Sequence, residues 1–315
     1  MKTRLFLLSS ALLLAVTVRA SAGPIYSYTT LDVPGATSTL ANGINAAGDV
    51  VGVYYNASGS HGFLLSGGKY STIDVPGHSE TAAAGINAAG QIVGYSLRPG
   101  SGSAEGFLLS NGAFTLLDAP YTSTTLPAGI NKSGQIVGSN GLGGSFLRSQ
   151  QGTYSEVSLP NSATTILGGI NDSGQIAGYE FKSFHSFLLS GNAYTNVDIG
   201  HADFTSAMGI NNLGQIVGSY WLRNTDHGFV RNLDGDYETL DAPGAWSTTA
   251  TGINDFGQVV GYFNDATRAD HGFLATPEAS VASSAPQSPG LILALLGVVS
   301  AGVYAWLRKK KPALA

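Results

Sequence analysis

Four of the chain's six histidines stand one residue before a "GF" or "SF" pair: His61 in "SHGF", His185 in "FHSF", and His227 and His271 in two copies of "DHGF". A histidine donating to a carboxylate is the beginning of several chemistries, because the carboxylate fixes the tautomer and leaves the other ring nitrogen free for a nucleophile or a metal. Turn counting supplies the carboxylates. If "GG" at Gly67 and Gly68 is a two-residue hairpin turn, Ser66 faces Lys69 and His61 falls opposite Asp74; around Gly191 and Asn192 the same count sets His185 opposite Asp198. The same slot pairs His227 with Asp241 and His271 with Asp32. In the third copy both partners change together, to Gly144 and Ser158, as a structural pair would. In the second copy Glu105 would face Asp118, and two facing carboxylates suit a shared cation or a raised pKa. No nucleophile or third ligand singles out one histidine, so structural pairs are expected, with no catalytic residue, no metal site and no cofactor.

Two other polar stretches fail as calcium loops. "NLDGDYETLD" (232–241) gathers four carboxylates, but "DG" is a hairpin signal and strand alternation would divide them between faces. The recurring "NAAG", "NKSG", "NDSG", "NNLG" and "NDFG" hold Ala, Lys, Leu or Phe where carboxylates would be needed. Asn first and Gly fourth suit a type I turn instead, with Asn bonding its own backbone and Gly at positive φ. There is no phosphate-binding glycine loop, no His-Glu-x-x-His and no Gly-x-Ser-x-Gly.

Those turns belong to a repeat. "GIN" recurs at Gly43, Gly85, Gly129, Gly169, Gly209 and Gly252, a period of 40 to 44 residues, and the glycine of "VG" or "AG" always follows nine residues later. Four strand-like pieces fill each period; in the second copy they are "TAAAGIN", "QIVGYS", "EGFLLS" and "FTLLD". Length varies mainly between the second and third pieces, where loops tolerate it. Six periods of four antiparallel strands, with small residues along the first strand, predict an all-β, six-bladed β-propeller. The chain starts on an unaccompanied fourth strand ("YSYTTLDVPG") and ends on a third ("HGFLATP"), so the N-terminal strand is expected to complete the last blade, which also places His271 beside Asp32.

On this plan the variable loops and the blade connections share one face, and aromatics gather there. Trp221, Trp246 and Phe204 lie beyond the repeated frame and are the leading candidates for binding; Tyr220, Tyr55 and Phe181 follow the second strand, as do Phe184 and Tyr262, and Tyr121 sits in a connection. Flat rings with Asn and Asp nearby suit the apolar faces and hydroxyls of sugars.

The ends speak to location. Lys2 and Arg4, an apolar run and "ASA" read as a signal peptide over 1–22, ahead of a propeller over 23–275. A Pro/Ser/Ala linker over 276–289 leads to an uncharged apolar helix over 290–307, long enough to span a membrane, and a basic cytoplasmic tail over 308–315. An exported chain without cysteine has no disulfides and must rely on its core. A net charge of -5 with no basic patch outside the tail argues against nucleic acid.

The succession "HGFLLSGGKYSTIDVPG" and "TAAAGINAAGQIVGY" resembles the HAF-type extracellular repeat of bacterial secreted proteins, from about Tyr26 to Leu274, although "EGFL" and "GSFL" lack its His. The C-terminal segment looks like a PEP-CTERM-type sorting signal without a Pro-Glu-Pro triplet; "TPEAS" and "APQSPG" stand nearby. The resemblance implies an exported repeat protein, sorted by an exosortase-like enzyme or held by an ordinary anchor, and brings no reaction or ligand with it. The expectation is an envelope-anchored binding or scaffold module, with extracellular polysaccharide as the leading partner. A polysaccharide lyase or hydrolase using the central depression, or a purely structural matrix protein, are the alternatives.

Overall fold

One phenylalanine per repeat organises each sheet. Phe63, Phe107, Phe146, Phe187, Phe229 and Phe273 are all buried in the third strand, and each lies against the glycine of "VG" or "AG" in the second. A Cβ on Gly52 would stand 2.0 Å from the Leu40 carbonyl oxygen and 2.7 Å from the Phe63 ring. Only glycine lets ring and backbone meet there, which is why that glycine keeps its place in every copy.

In a computed structural model of the chain, which describes residues 25–278 apart from 121, 142, 160–163 and 184, the strands form six four-stranded antiparallel sheets. Blades 1 to 5 cover 38–73, 80–117, 126–156, 165–196 and 204–240. Blade 6 takes its first three strands from Ser247–Ile253, Val259–Asn264 and Asp270–Pro277, and its fourth from the N-terminal strand Tyr26–Leu31. That strand runs from Tyr26 opposite Pro277 to Leu31 opposite Gly272, so the expected closure is present. The last strand passes the anticipated boundary at 275 by two residues, because Thr276 and Pro277 pair with Ser27 and Tyr26. The signal peptide, the linker from 279 onward, the apolar helix and basic tail, and Tyr121 and Phe184 lie outside the described residues.

The first strands crowd the axis. A Cβ on Gly43 would come within 3.2 Å of the Gly85 Cα, and the same approach repeats from Gly85 round to Gly252, whose Cβ would lie 3.2 Å from the Gly43 Cα. The "NxxG" segments form the expected turns: Gly48 N–H donates to the Asn45 carbonyl at 3.1 Å, and Gly48 has φ +82°. Asn also reaches across blades, which the turn alone does not foretell. Asn87 donates to the Asn131 carbonyl at 3.1 Å, and the series continues through Asn171, Asn211 and Asn254 back to Asn45, whose own donation to Asn87 spans 3.4 Å. A buried amide thus satisfies its own turn and gives its neighbour's turn carbonyl a second donor.

The "DG" of 232–241 lies in a hairpin turn, as expected, between the third and fourth strands of blade 5. The turn is another Asn-x-x-Gly, with Gly235 N–H donating to the Asn232 carbonyl at 3.1 Å and Arg231 facing Tyr237. Asp234 and Glu238 spend carboxylate oxygens on Asp236 N–H and Asn232, and the described residues contain no group of three ligands fit for a metal.

Candidate functional site

Every expected His–Asp pair forms. Nδ1 lies 3.0 Å from Asp74 in His61, 2.6 Å from Asp198 in His185, 2.8 Å from Asp241 in His227 and 2.9 Å from Asp32 in His271. An aromatic ring covers three of the imidazoles: Tyr54 on His61, Tyr220 on His227 and Phe263 on His271, at 5.2 to 5.3 Å between centroids. The facing carboxylate pair does not form. Glu105 sits in the slot opposite Asp118, yet it binds Arg98 at 2.6 Å and lies 3.4 Å from His78 Nε2, so the chain's own cation takes the place a metal would have needed.

The axial depressions offer little acid or base. On the loop face the channel mouth is about 80 Å³, lined by the glycine ring and by Asn42, Ala84, Ala128, Met208 and Thr251, none titratable. On the turn face a depression of about 200 Å³ is ringed by the six asparagines. There Lys132, Asp172 and Asn212 each donate a backbone N–H to the side chain one blade on, at 2.8 to 2.9 Å. No acid/base couple in the loop-face centre supports the lyase or hydrolase arrangement.

Three of the predicted aromatics, Phe204, Trp221 and Trp246, stand at the loop-face ends of blades 5 and 6. Phe204 and Trp221 face each other across the first two strands of blade 5 and stack at 5.8 Å with planes only 10° apart. Asp226 stands directly opposite Trp221 on the third strand, continuing the row. Trp246, 45% exposed, opens blade 6 beside them: its N–H donates to the Asn264 carbonyl at 2.8 Å, and Arg268 lies over its ring at 4.8 Å. Tyr55 and Phe181, at 43% and 57% exposed, lie on the same face in blades 1 and 4. Tyr220 does not belong with them. It is 5% exposed, packed on His227 and bonded to Thr239 at 2.8 Å, because alternation turns it to the opposite side of the sheet from Trp221.

The carboxylates here differ from every other blade. In blade 6, Asp270 is tied into the sheet, taking Ser38 Oγ at 2.9 Å and the Asn264 amide. The corresponding partner for Asp226 is Ser247, but that hydroxyl goes to Asn264 Oδ1 at 2.6 Å. Asp226 therefore accepts no hydrogen bond from another described residue, and burial, opposed by His227, raises its pKa above 3.8. Tyr262 lies between the blades; burial first, then Asp226 and Asp270, push its hydroxyl above the usual value. Sequence reasoning passed over both aspartates. The signal was available, since "DHGF" occurs at 226 and 270 while the other copies read "SHGF", "AEGF", "GGSF" and "FHSF".

No protein-family model matches the sequence, and no curated sequence matches it. Solved structures do. A catalytically inactive virginiamycin B lyase from Staphylococcus aureus, solved with quinupristin, is 11% identical with a TM-score of 0.50 over 81% of this chain and 100% of that one. A streptogramin B lyase is 15% identical with a TM-score of 0.50, over 79% of this chain and 97% of its own. TolB from Acinetobacter baumannii is 10% identical with a TM-score of 0.51, over 73% of this chain and 64% of its own. At such identities the likeness establishes the β-propeller fold alone.

Proposed function

We propose that the chain is an exported, envelope-associated β-propeller whose loop face at blades 5 and 6 binds extracellular polysaccharide. The observation that carries this is the row Phe204–Trp221–Asp226 with Trp246 in the next blade: two partly exposed stacked rings and one exposed ring near a half-buried carboxylate that accepts no hydrogen bond from another described residue. Rings stack on the apolar face of a pyranose while a carboxylate accepts from its hydroxyls, the mixture of apolar surface and few polar groups that ligand sites use. Export and anchoring rest on the signal peptide and the apolar, basic-ended C-terminus, and sorting on its likeness to the PEP-CTERM type.

A glycan array probed with the full chain tests this reading. Binding to a defined set of polysaccharides, lost at least tenfold in a Trp221→Ala, Trp246→Ala double variant that keeps its melting temperature, is the expected result. A double variant that binds every glycan as the parent does would overturn it and leave a scaffold role.

A further inference from the structure

Among the described residues, blade 1 is the one His–Asp pair with a hydroxyl on the far nitrogen. Ser58, in the hairpin between the second and third strands, has its Oγ 2.8 Å from His61 Nε2, while Nδ1 of the same ring lies 3.0 Å from both oxygens of Asp74. In blade 6 the far nitrogen faces Asp265 instead, at 3.6 Å. The triad is recognised by roles and geometry rather than order in the chain, and the three roles are filled here: a nucleophile, a base within hydrogen-bond reach, and a carboxylate that sets the base's tautomer. Tyr54, stacked on His61 at 5.2 Å, holds the imidazole in plane with its partners.

We propose that Ser58, His61 and Asp74 form a serine-hydrolase centre acting on exposed acyl esters. Because Nδ1–H donates to Asp74, Nε2 is the free acceptor and can take the Ser58 proton. Oγ then attacks the ester carbonyl carbon, the proton passes to His61 Nε2, and Asp74 stabilises the resulting imidazolium. Collapse breaks the carbonyl–alkoxy bond and returns the proton from His61 to the departing alcohol. Water, deprotonated by His61, attacks the acyl-serine and releases the carboxylic acid with Ser58 restored. Asn56 Oδ1 also lies 2.6 Å from Ser58 Oγ and accepts its N–H at 2.8 Å, so the hydroxyl must turn from Asn56 to His61 before attack. The turn is exposed, which fits a short acyl group standing out from a chain. The substrate class, an O-acylated polysaccharide held on the same face, rests on the binding role proposed above.

A fluorophosphonate probe tests the centre without any glycan. The full chain should form a covalent adduct that peptide mass mapping places on Ser58, and hydrolyse p-nitrophenyl acetate. Ser58→Ala should abolish the adduct, and His61→Gln or Asp74→Asn should slow labelling at least tenfold. His185→Gln, which breaks a pair of the same design with no serine on its far nitrogen, should label at the parent rate and so separates the chemistry from loss of a fold-supporting pair. No adduct on a chain with its normal melting temperature, an adduct on another residue, or equal slowing by His185→Gln would overturn the proposal. None of these outcomes depends on the glycan array, so either idea can fall alone.

Discussion

His271 is the imidazole whose surroundings argue for a measurable pH effect. Burial lowers its pKa, but Asp32 on one nitrogen and Asp265 on the other outweigh it and hold the group above 6.5. A group whose folded pKa is raised contributes stability fully below the unfolded value, and that contribution fades as pH rises through the folded one. Urea midpoints should therefore fall as pH rises above the ordinary imidazole value of about 6.5, and His271→Gln should flatten that part of the curve. Equal slopes in parent and variant would remove His271 from the account. Legibility at this scale was uneven for a physical reason. Turn geometry placed His61, His185 and His227 opposite their Asp because both partners lie within one hairpin, and the closing N-terminal strand brought Asp32 to His271. Ser58 was not legible, because it lies in a variable loop; "DHGF" marks Asp226, but its open acceptor was not legible, because it depends on a hydroxyl on the next blade that chooses another partner.

At the scale of the element, the second strand's glycine decides whether a blade can close on its phenylalanine. A Cβ on Gly178 would lie 2.3 Å from the Ile166 carbonyl oxygen and 2.8 Å from the Phe187 ring, and a strand backbone cannot retreat as a side-chain tip can. Gly178→Ala should cost about 3 kcal/mol, the upper end for an overpacked core, as read by the urea midpoint. Gly200→Ala, where an added Cβ meets nothing within 4 Å, is the control and should change little. A mild Gly178→Ala would mean the blade breathes more than its contacts allow. Periodicity made these strands legible, since each carries its own hairpin signals. The bulges at the axis were not, because they answer to the neighbouring blade: register shifts by one between Ala41 and Gly43, and again between Ala207 and Gly209.

For the whole molecule, closure rests on the N-terminal strand and on the ring of six asparagines. Leu31 and Val33 are buried against blade 1, and losing two such side chains costs about 3–6 kcal/mol. Deleting residues 23–35 should lower the melting temperature by roughly 10 °C or more, given how stability scales with size, whereas deleting 279–289 should leave it unchanged. Equal effects of the two deletions would contradict closure. Strand bookkeeping made the seam legible because an unpaired fourth strand and a missing fourth strand sat at opposite ends of the repeat. The sector at blades 5 and 6 emerges only in three dimensions, where Phe204, Trp221, Asp226 and Trp246 come from separate strands and a connection. Hydrogen–deuterium exchange of the full chain, with and without the polysaccharide that binds best on the array, tests the central claim directly. Protection is expected over 203–206, 219–226, 245–248 and 262–270, with the Asn-x-x-Gly turns unchanged; protection confined to the turn face, or to blades 2 and 3, would contradict it.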